Sequence, residues 1–296
     1  MTFNWQTFRT RTLTAAVFVV VMLAGLLINH WTFFILFSII HFGCWWEYLR
    51  LIEKIHTTIF HRYTKLGFML IGFAIMLWFC GPAYEINNYS FKNNFLFPVS
   101  AAGVFLLTVG IFLSKKIKLK PFATVALGLL YISLSWGMMI DLRGLELFYI
   151  PGKDNWYDKG WVIPFIIIGS IWINDTMAYI VGSVFGKTLL SKISPRKTWE
   201  GTLGGILLSM SFFLLLTLGQ DEYAHGFIFR KDIILITAIT VLIGTIGDLL
   251  ESKLKRMATV KDSGHIMPGH GGFLDRFDSM LLAIPAVWLY VYFFMK

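Results

Sequence analysis

Between Gly247 and Ser279 the chain reads GDLLESKLKRMATVKDSGHIMPGHGGFLDRFDS. Five acids (Asp248, Glu251, Asp262, Asp275 and Asp278) share this stretch with the bases Lys253, Lys255, Arg256, Lys261 and Arg276. Asp275 and Asp278 are three positions apart, so on a helix they share a face. Asp248 closes the apolar run before them, and carboxylates on two neighbouring helix ends can converge on a hard cation. Mg2+ is the natural choice, because it takes oxygen ligands and commonly uses one or two carboxylates together with substrate phosphates. Asp248, Asp275 and Asp278 are therefore the candidate metal ligands. The glycines of PGHGG, 268–272, let backbone approach a ligand closely, which makes His270, Gly271 and Gly272 binding candidates. His265 and His270 do not read as zinc ligands, since no Cys is near and Gly and Pro lie between them. A charged loop held by internal salt bridges is the plain alternative. Such crowding of charge in an apolar chain is costly without a ligand to organise it.

Two further polar clusters interrupt apolar sequence. FGKTLLSKISPRKTWEGT, 185–202, interleaves Lys187, Lys192, Arg196 and Lys197 with Ser194, Thr198 and other hydroxyls. Cations for charge and hydroxyls for orientation suit phosphate. Ser194-Pro195 can open a helix, and helix N-termini bind anions. An ordinary basic juxtamembrane loop is the plain reading of the same residues. GKT at 186–188 is not a P-loop, because the upstream glycine and the strand are missing. Gly182/Gly186 and Gly201/Gly205 have the small-xxx-small spacing of packed helices. The last cluster, INDTMAY at 173–179, places Asp175 about 12 Å from the end of its apolar run, at 1.5 Å per helical residue. A carboxylate at that depth costs about 2.5–3.5 kcal/mol unless it is paired. Asp175 is thus either the partner of a buried base or part of a binding site, and its polar neighbours Asn174, Thr176 and Tyr179 favour the site.

These clusters must be carried by membrane helices. The 296 residues are 56% hydrophobic and 15% charged, with mean hydropathy +0.67. A soluble domain needs far more charge to cover its surface. Nine stretches approach the roughly 20 apolar residues that cross a bilayer: 13–29, 31–47, 66–81, 95–113, 122–140, 161–183, 202–219, 233–250 and 279–295. The expected fold is an all-α, polytopic transmembrane bundle of about nine spans. It divides into five motif-free spans in 1–160 and a four-span catalytic part in 161–296, expected to form one integrated unit. The first stretch is not read as a cleaved signal, having no convincing cleavage site. With the N-terminus inside, 19 of the 26 Lys and Arg fall on the cytoplasmic side and 7 outside. That bias sets the orientation and puts all three clusters in the cytoplasm. The net charge of +9 accordingly reads as basic loops facing anionic lipid rather than as a nucleic-acid surface. Cys44 and Cys80 both lie in apolar runs and read as buried free thiols.

The order and spacing of SKLKR, KDSG, PGHGG and LDRFDS, together with DTMAY, FGK and ISPRKTWEG upstream, resemble the signature of the phosphatidate cytidylyltransferase family. Ser183, Thr259 and Met267 depart from it, where a basic residue, a glycine, and Leu, Ile or Phe are usual. The resemblance implies a nucleotidyltransferase in phospholipid biosynthesis: CTP and phosphatidate give CDP-diacylglycerol and pyrophosphate. It also implies a two-cation centre on Asp248 and Asp275, one ion Mg2+ and the other a candidate K+. The site it implies comprises Asp248, Asp275, Asp278, Lys261, Asp262 and Arg276 at the reacting groups. Asp175, Lys192, Ser194, Arg196, Lys197, Thr198, Ser252, Lys255, Arg256, His270, Gly271 and Gly272 would bind substrate. A homodimer is compatible with this layout. Two rivals use similar residues. A CTP-dependent polyprenol kinase would release CDP instead of pyrophosphate. An ion-coupled transporter would use Asp175 and Asp248 as an ion path, but it would commonly show an internal repeat, and none is visible.

Overall fold

The computed structural model describes residues 5–87, 89–114, 118–145, 147–149, 156–218, 230–266 and 271–295. Among them, one helix covers each apolar stretch: α1 (Trp5–Leu27), α2 (His30–Ile55), α3 (Arg62–Trp78), α4 (Phe91–Leu113), α5 (Leu119–Gly144), α6 (Val162–Phe185), α7 (Trp199–Thr217), α8 (Arg230–Met257) and α9 (Leu274–Phe294). All but α1 and α3 are long and apolar enough to cross a membrane; α3 has 17 residues, and the apolar part of α1 is Thr12–Leu27. The chain is an all-α integral membrane protein. Its described strands form two short antiparallel hairpins, Glu85–Ile86 with Tyr89–Ser90 and Leu147–Tyr149 with Trp156–Asp158. Backbone groups in lipid must be satisfied within the segment, which selects helices for the long runs.

The chain falls into two compact units, one of Met1–Trp161 with Leu254–Phe277, the other of Val162–Lys253 with Asp278–Lys296. The signature segment after α8 therefore packs with the N-terminal helices, although in sequence it adjoins the C-terminal ones.

In the first unit, Asn29 caps α2 by accepting from the Thr32 amide at 2.8 Å, and the Thr32 hydroxyl accepts the Asn29 amide in return. This reciprocal box satisfies two otherwise orphaned donors. The helix then buries Phe33, Phe37 and Trp45 completely. A π-helical stretch at Leu129–Leu134 widens α5 where Ser133 meets His41 at 3.0 Å and accepts from Trp45 Nε1 at 2.8 Å. The buried Arg143 guanidinium donates to both Asp158 oxygens at 2.6 Å, the paired geometry that makes burial of an arginine tolerable. Cys44 and Cys80 are buried free thiols, as expected.

In the second unit, α6 and α7 touch backbone to backbone. A Cβ at Gly205 would lie 2.7 Å from the Asn174 carbonyl oxygen, and one at Gly201 would lie 2.6 Å from that of Ala178. The glycine spacing thus serves packing. α7 does not begin at Ser194-Pro195, which form a bend and a turn. It begins at Trp199, because Thr198 supplies the cap, its hydroxyl accepting from the Gly201 amide at 3.1 Å. The helix start expected at 194–195 is corrected by four to five residues.

Candidate active site

The second unit holds a pocket of about 200 Å³ where α6, α7, α8 and the loop before α7 meet. Asp175, Arg196, Lys197, Thr198 and Asp248 line it, so five predicted site residues from three separate clusters come together. Lys197 forms an ion pair with Asp248 Oδ2, and Ser252 donates to Asp248 Oδ1 at 3.3 Å. Ser252 is four positions after Asp248, which puts both on one face of α8. Burial works against the Lys197 charge, but the Asp248 carboxylate, its hydrogen bond, and the nearby Asp175 and Asp278 outweigh it and hold the ammonium above its ordinary range. Asp278 is itself buried and accepts from the Ser279 amide at 2.6 Å.

The loop before α7 is fastened by Glu200. Its carboxylate accepts from the Lys187 amide at 3.1 Å and from the Thr188 amide at 3.1 and 3.2 Å. Lys192 and Ser194 belong to this loop but do not line the pocket, and Lys192 is exposed. Thr202, the last hydroxyl of the 185–202 cluster, also lines it, and so does Thr245, which sequence reasoning missed. Thr245 is a single hydroxyl in an apolar run and carries no signal of its own.

The first unit holds the other part of the predicted set. Lys255 lies 2.6 Å from Asp275 Oδ1. Asp275 Oδ2 accepts from the Ser263 amide and from the Gly272 amide, each at 2.8 Å, and the Ser263 hydroxyl lies 2.9 Å from it. Gly271 has a φ of +85°, and a Cβ there would lie 2.7 Å from Asp275 Oδ2; glycine meets both demands. Asp275 thus organises the segment it was expected to serve. Lys261, Asp262 and Arg256 are exposed, and the Arg276 amide donates to the Phe273 carbonyl at 3.0 Å. His270 lies outside the described residues.

Glu47, which composition alone did not single out, is a buried member of the same network. It accepts from Ser263, Phe273 and Leu274. The available signal was an acid within the apolar run HFGCWWEYL, an arrangement that needs a partner in a membrane.

Among the described residues no three His, Cys, Asp or Glu side chains form a metal cage. What they supply instead is carboxylate oxygens paired with Lys197 and Lys255, hard donors of the kind that Mg2+ takes. The cytidylyltransferase family profile matches residues 9–294. The chain belongs to the cytidylyltransferase family. Among its relatives, the phosphatidate cytidylyltransferase of Bacillus subtilis (strain 168) is 33% identical over 227 residues, which is 74% of this chain and 76% of that protein. The enzyme of the same name from Aquifex aeolicus (strain VF5) is 33% identical over 203 residues, 68% of each chain. That of Haemophilus influenzae (strain ATCC 51907 / DSM 11121 / KW20 / Rd) reaches 41% over a shorter 131 residues, 42% of this chain and 43% of its own.

Proposed function

We infer that this protein transfers a cytidylyl group from CTP to phosphatidate, giving CDP-diacylglycerol and pyrophosphate. The observation that carries the reading is the meeting of Asp175, Arg196, Lys197, Thr198 and Asp248 in one pocket of a chain whose family match runs nearly end to end. In the reaction a phosphatidate oxygen forms a bond to the α-phosphorus of CTP as the bond to the pyrophosphate oxygen breaks. The phosphatidate phosphate is anionic at neutral pH, so no strong base is required. The protein's task is to hold two anions together and offset their charge. Arg196 and Lys197 supply cations at the pocket, and Thr198 supplies an oxygen. Lys255, Arg256, Lys261 and Arg276 are the candidate cations of the signature segment.

Asp248, Asp275 and Asp278 would hold Mg2+, with K+ the candidate for a second site. The oxygen donors fit such an ion: Asp248 already faces the Lys197 ammonium, and that charge also feels Asp278. When bound, Mg2+ would neutralise charge on the phosphates.

Phosphatidate is proposed to enter sideways from the bilayer. Tyr179 lines the pocket and is 77% exposed, and Val184 and Phe185 at the same helix end are 67% and 64% exposed. The site is proposed to face the cytoplasm. Glu47, near the end of α2, accepts from Ser263, Phe273 and Leu274, which supports the loops after α2 and α8 lying on one side.

The test is incubation of the purified protein in lipid with labelled CTP, phosphatidate and Mg2+. Labelled CDP-diacylglycerol and an equal amount of pyrophosphate are expected, with dCTP active and ATP inactive. Release of CDP in place of pyrophosphate, or equal turnover with ATP, would overturn the reading.

A further inference from the structure

Glu47 is 2% exposed in α2. Its Oε2 accepts from the Ser263 hydroxyl at 2.7 Å and from the Leu274 amide at 2.8 Å, and its Oε1 accepts from the Phe273 amide at 3.0 Å. The two amides sit at the start of α9, where helix donors lack intrahelical partners and the helix dipole favours an anion. Gly264 and Gly272 press on the same carboxylate, so that a Cβ at either would overlap it. One buried acid thus grips the signature segment at both ends, at 263–264 and at 272–274.

The grip reaches Asp275 by two routes. The Ser263 hydroxyl that meets Glu47 also lies 2.9 Å from Asp275 Oδ2. The Gly272 amide, whose residue packs on Glu47, donates to that same oxygen at 2.8 Å. Burying a carboxylate is unfavourable unless donors surround it. Here the Phe273 and Leu274 amides and the Ser263 hydroxyl that it shares with Asp275 do, and all of them flank Asp275 in sequence. An acid needed only to hold α2 in the fold could find its donors anywhere along the neighbouring helices.

We propose that Glu47 is a positioning residue for cytidylyl transfer: it fixes Ser263 and the turn at Gly272–Leu274 and thereby the direction of the Asp275 carboxylate. This rests on the reading of the site as a CTP:phosphatidate transferase. Glu47 touches neither substrate nor metal in this account. A residue that orients a metal-binding group changes metal affinity or activity by about 10–100-fold when lost.

The test compares Glu47→Gln with wild type in purified, lipid-reconstituted protein. Gln keeps the shape, removes the charge, and turns one acceptor toward the segment's donors as a donor. The expected result is a kcat lowered about tenfold or more and a half-saturating Mg2+ concentration raised by a similar factor, with high Mg2+ restoring part of the rate. A second readout needs no turnover. His265→Cys, at an exposed position, is labelled with a thiol reagent in EDTA, in the wild-type and Glu47→Gln backgrounds. Faster labelling with Gln supports a loosened segment. An unchanged labelling rate with an unchanged Mg2+ requirement overturns the inference, even where the yield of folded protein falls. Should Glu47→Gln not accumulate, Ser263→Ala cuts the bridge to Asp275 while leaving Glu47 its two amides, and it is held to the same two readouts. A wild-type protein that makes no CDP-diacylglycerol would instead sink the proposed reaction, while the labelling comparison still judges the Glu47 grip.

Discussion

The Lys255 ammonium lies 2.6 Å from Asp275 Oδ1, while the other oxygen of that carboxylate accepts from the Ser263 and Gly272 amides and lies 2.9 Å from the Ser263 hydroxyl that also meets Glu47. A single carboxylate therefore joins the end of α8, the segment after it and the start of α9. A group so held can present its charge to a ligand without reorganising, which is how preorganised electrostatics accelerates a reaction.

Asp275→Asn should leave the protein folded in membranes and reduce cytidylyl transfer by about 10²–10³. Asn keeps the shape but withdraws the negative charge from Lys255 and from the proposed ion. Raised Mg2+ should recover part of the rate. Transfer from labelled CTP to lipid, measured at limiting Mg2+, checks this, and near-normal turnover there would exclude Asp275 as a metal ligand.

Lys197 is held charged by Asp248, so its raised pKa stabilises the fold in a defined range. The contribution is complete below the unfolded value of 10.5 and fades only as pH climbs through the higher folded value. The difference in melting temperature between wild type and Lys197→Met should therefore be flat between about pH 6 and about pH 9. Lys197→Met should also be poorly active throughout that range. A difference that shrank steadily over those pH values would mean that Lys197 is not the cation of the pair.

α8 ends in a Schellman turn, with the Val260 amide donating to the Lys255 carbonyl at 3.0 Å and the Thr259 amide to that of Arg256 at 3.1 Å. Thr259 occupies the left-handed position of this turn at φ +55°, where glycine is usual. The departure from the family pattern thus falls where a β-branched residue is strained. Thr259→Gly should stabilise the protein by about 1 kcal/mol, offset slightly by chain entropy, with activity preserved. Thermal unfolding in detergent measures it, and a loss of stability would refute the strain argument.

Cysteines placed at Ile59, which is 90% exposed, and at exposed Lys187 should react with an impermeant thiol reagent only from the cytoplasmic side. A cysteine at exposed Glu85 should react only from the other side. Cys44 and Cys80 are buried and give little background. Labelling of position 59 or 187 from outside intact cells would reverse the proposed orientation.

Much of this protein was legible in its sequence because membranes impose blunt constraints. An apolar run in lipid has no water to satisfy its backbone, so each long run had to become a helix, and each did. Charge inside such a chain is costly enough that Asp175, Asp248 and Asp275 marked themselves as partners or ligands before any partner was known. The glycine spacing at 201 and 205 announced close packing against α6 for an equally local reason.

The pairings were not legible. Lys197 and Asp248 are 51 positions apart, and Glu47 and Ser263 are 216 apart. Nothing in the spacing of either pair specifies contact, because that depends on which helix faces meet once the chain has packed. For the same reason Ser194-Pro195 offered a plausible helix start, yet Thr198 took the cap. Composition and periodicity determined that this chain spans a membrane and carries clustered acids and bases. Only tertiary packing decided that a buried glutamate of α2 would grip the signature segment, since a hydrogen bond reaches about 3 Å and the fold alone brings residues so distant in sequence within that range.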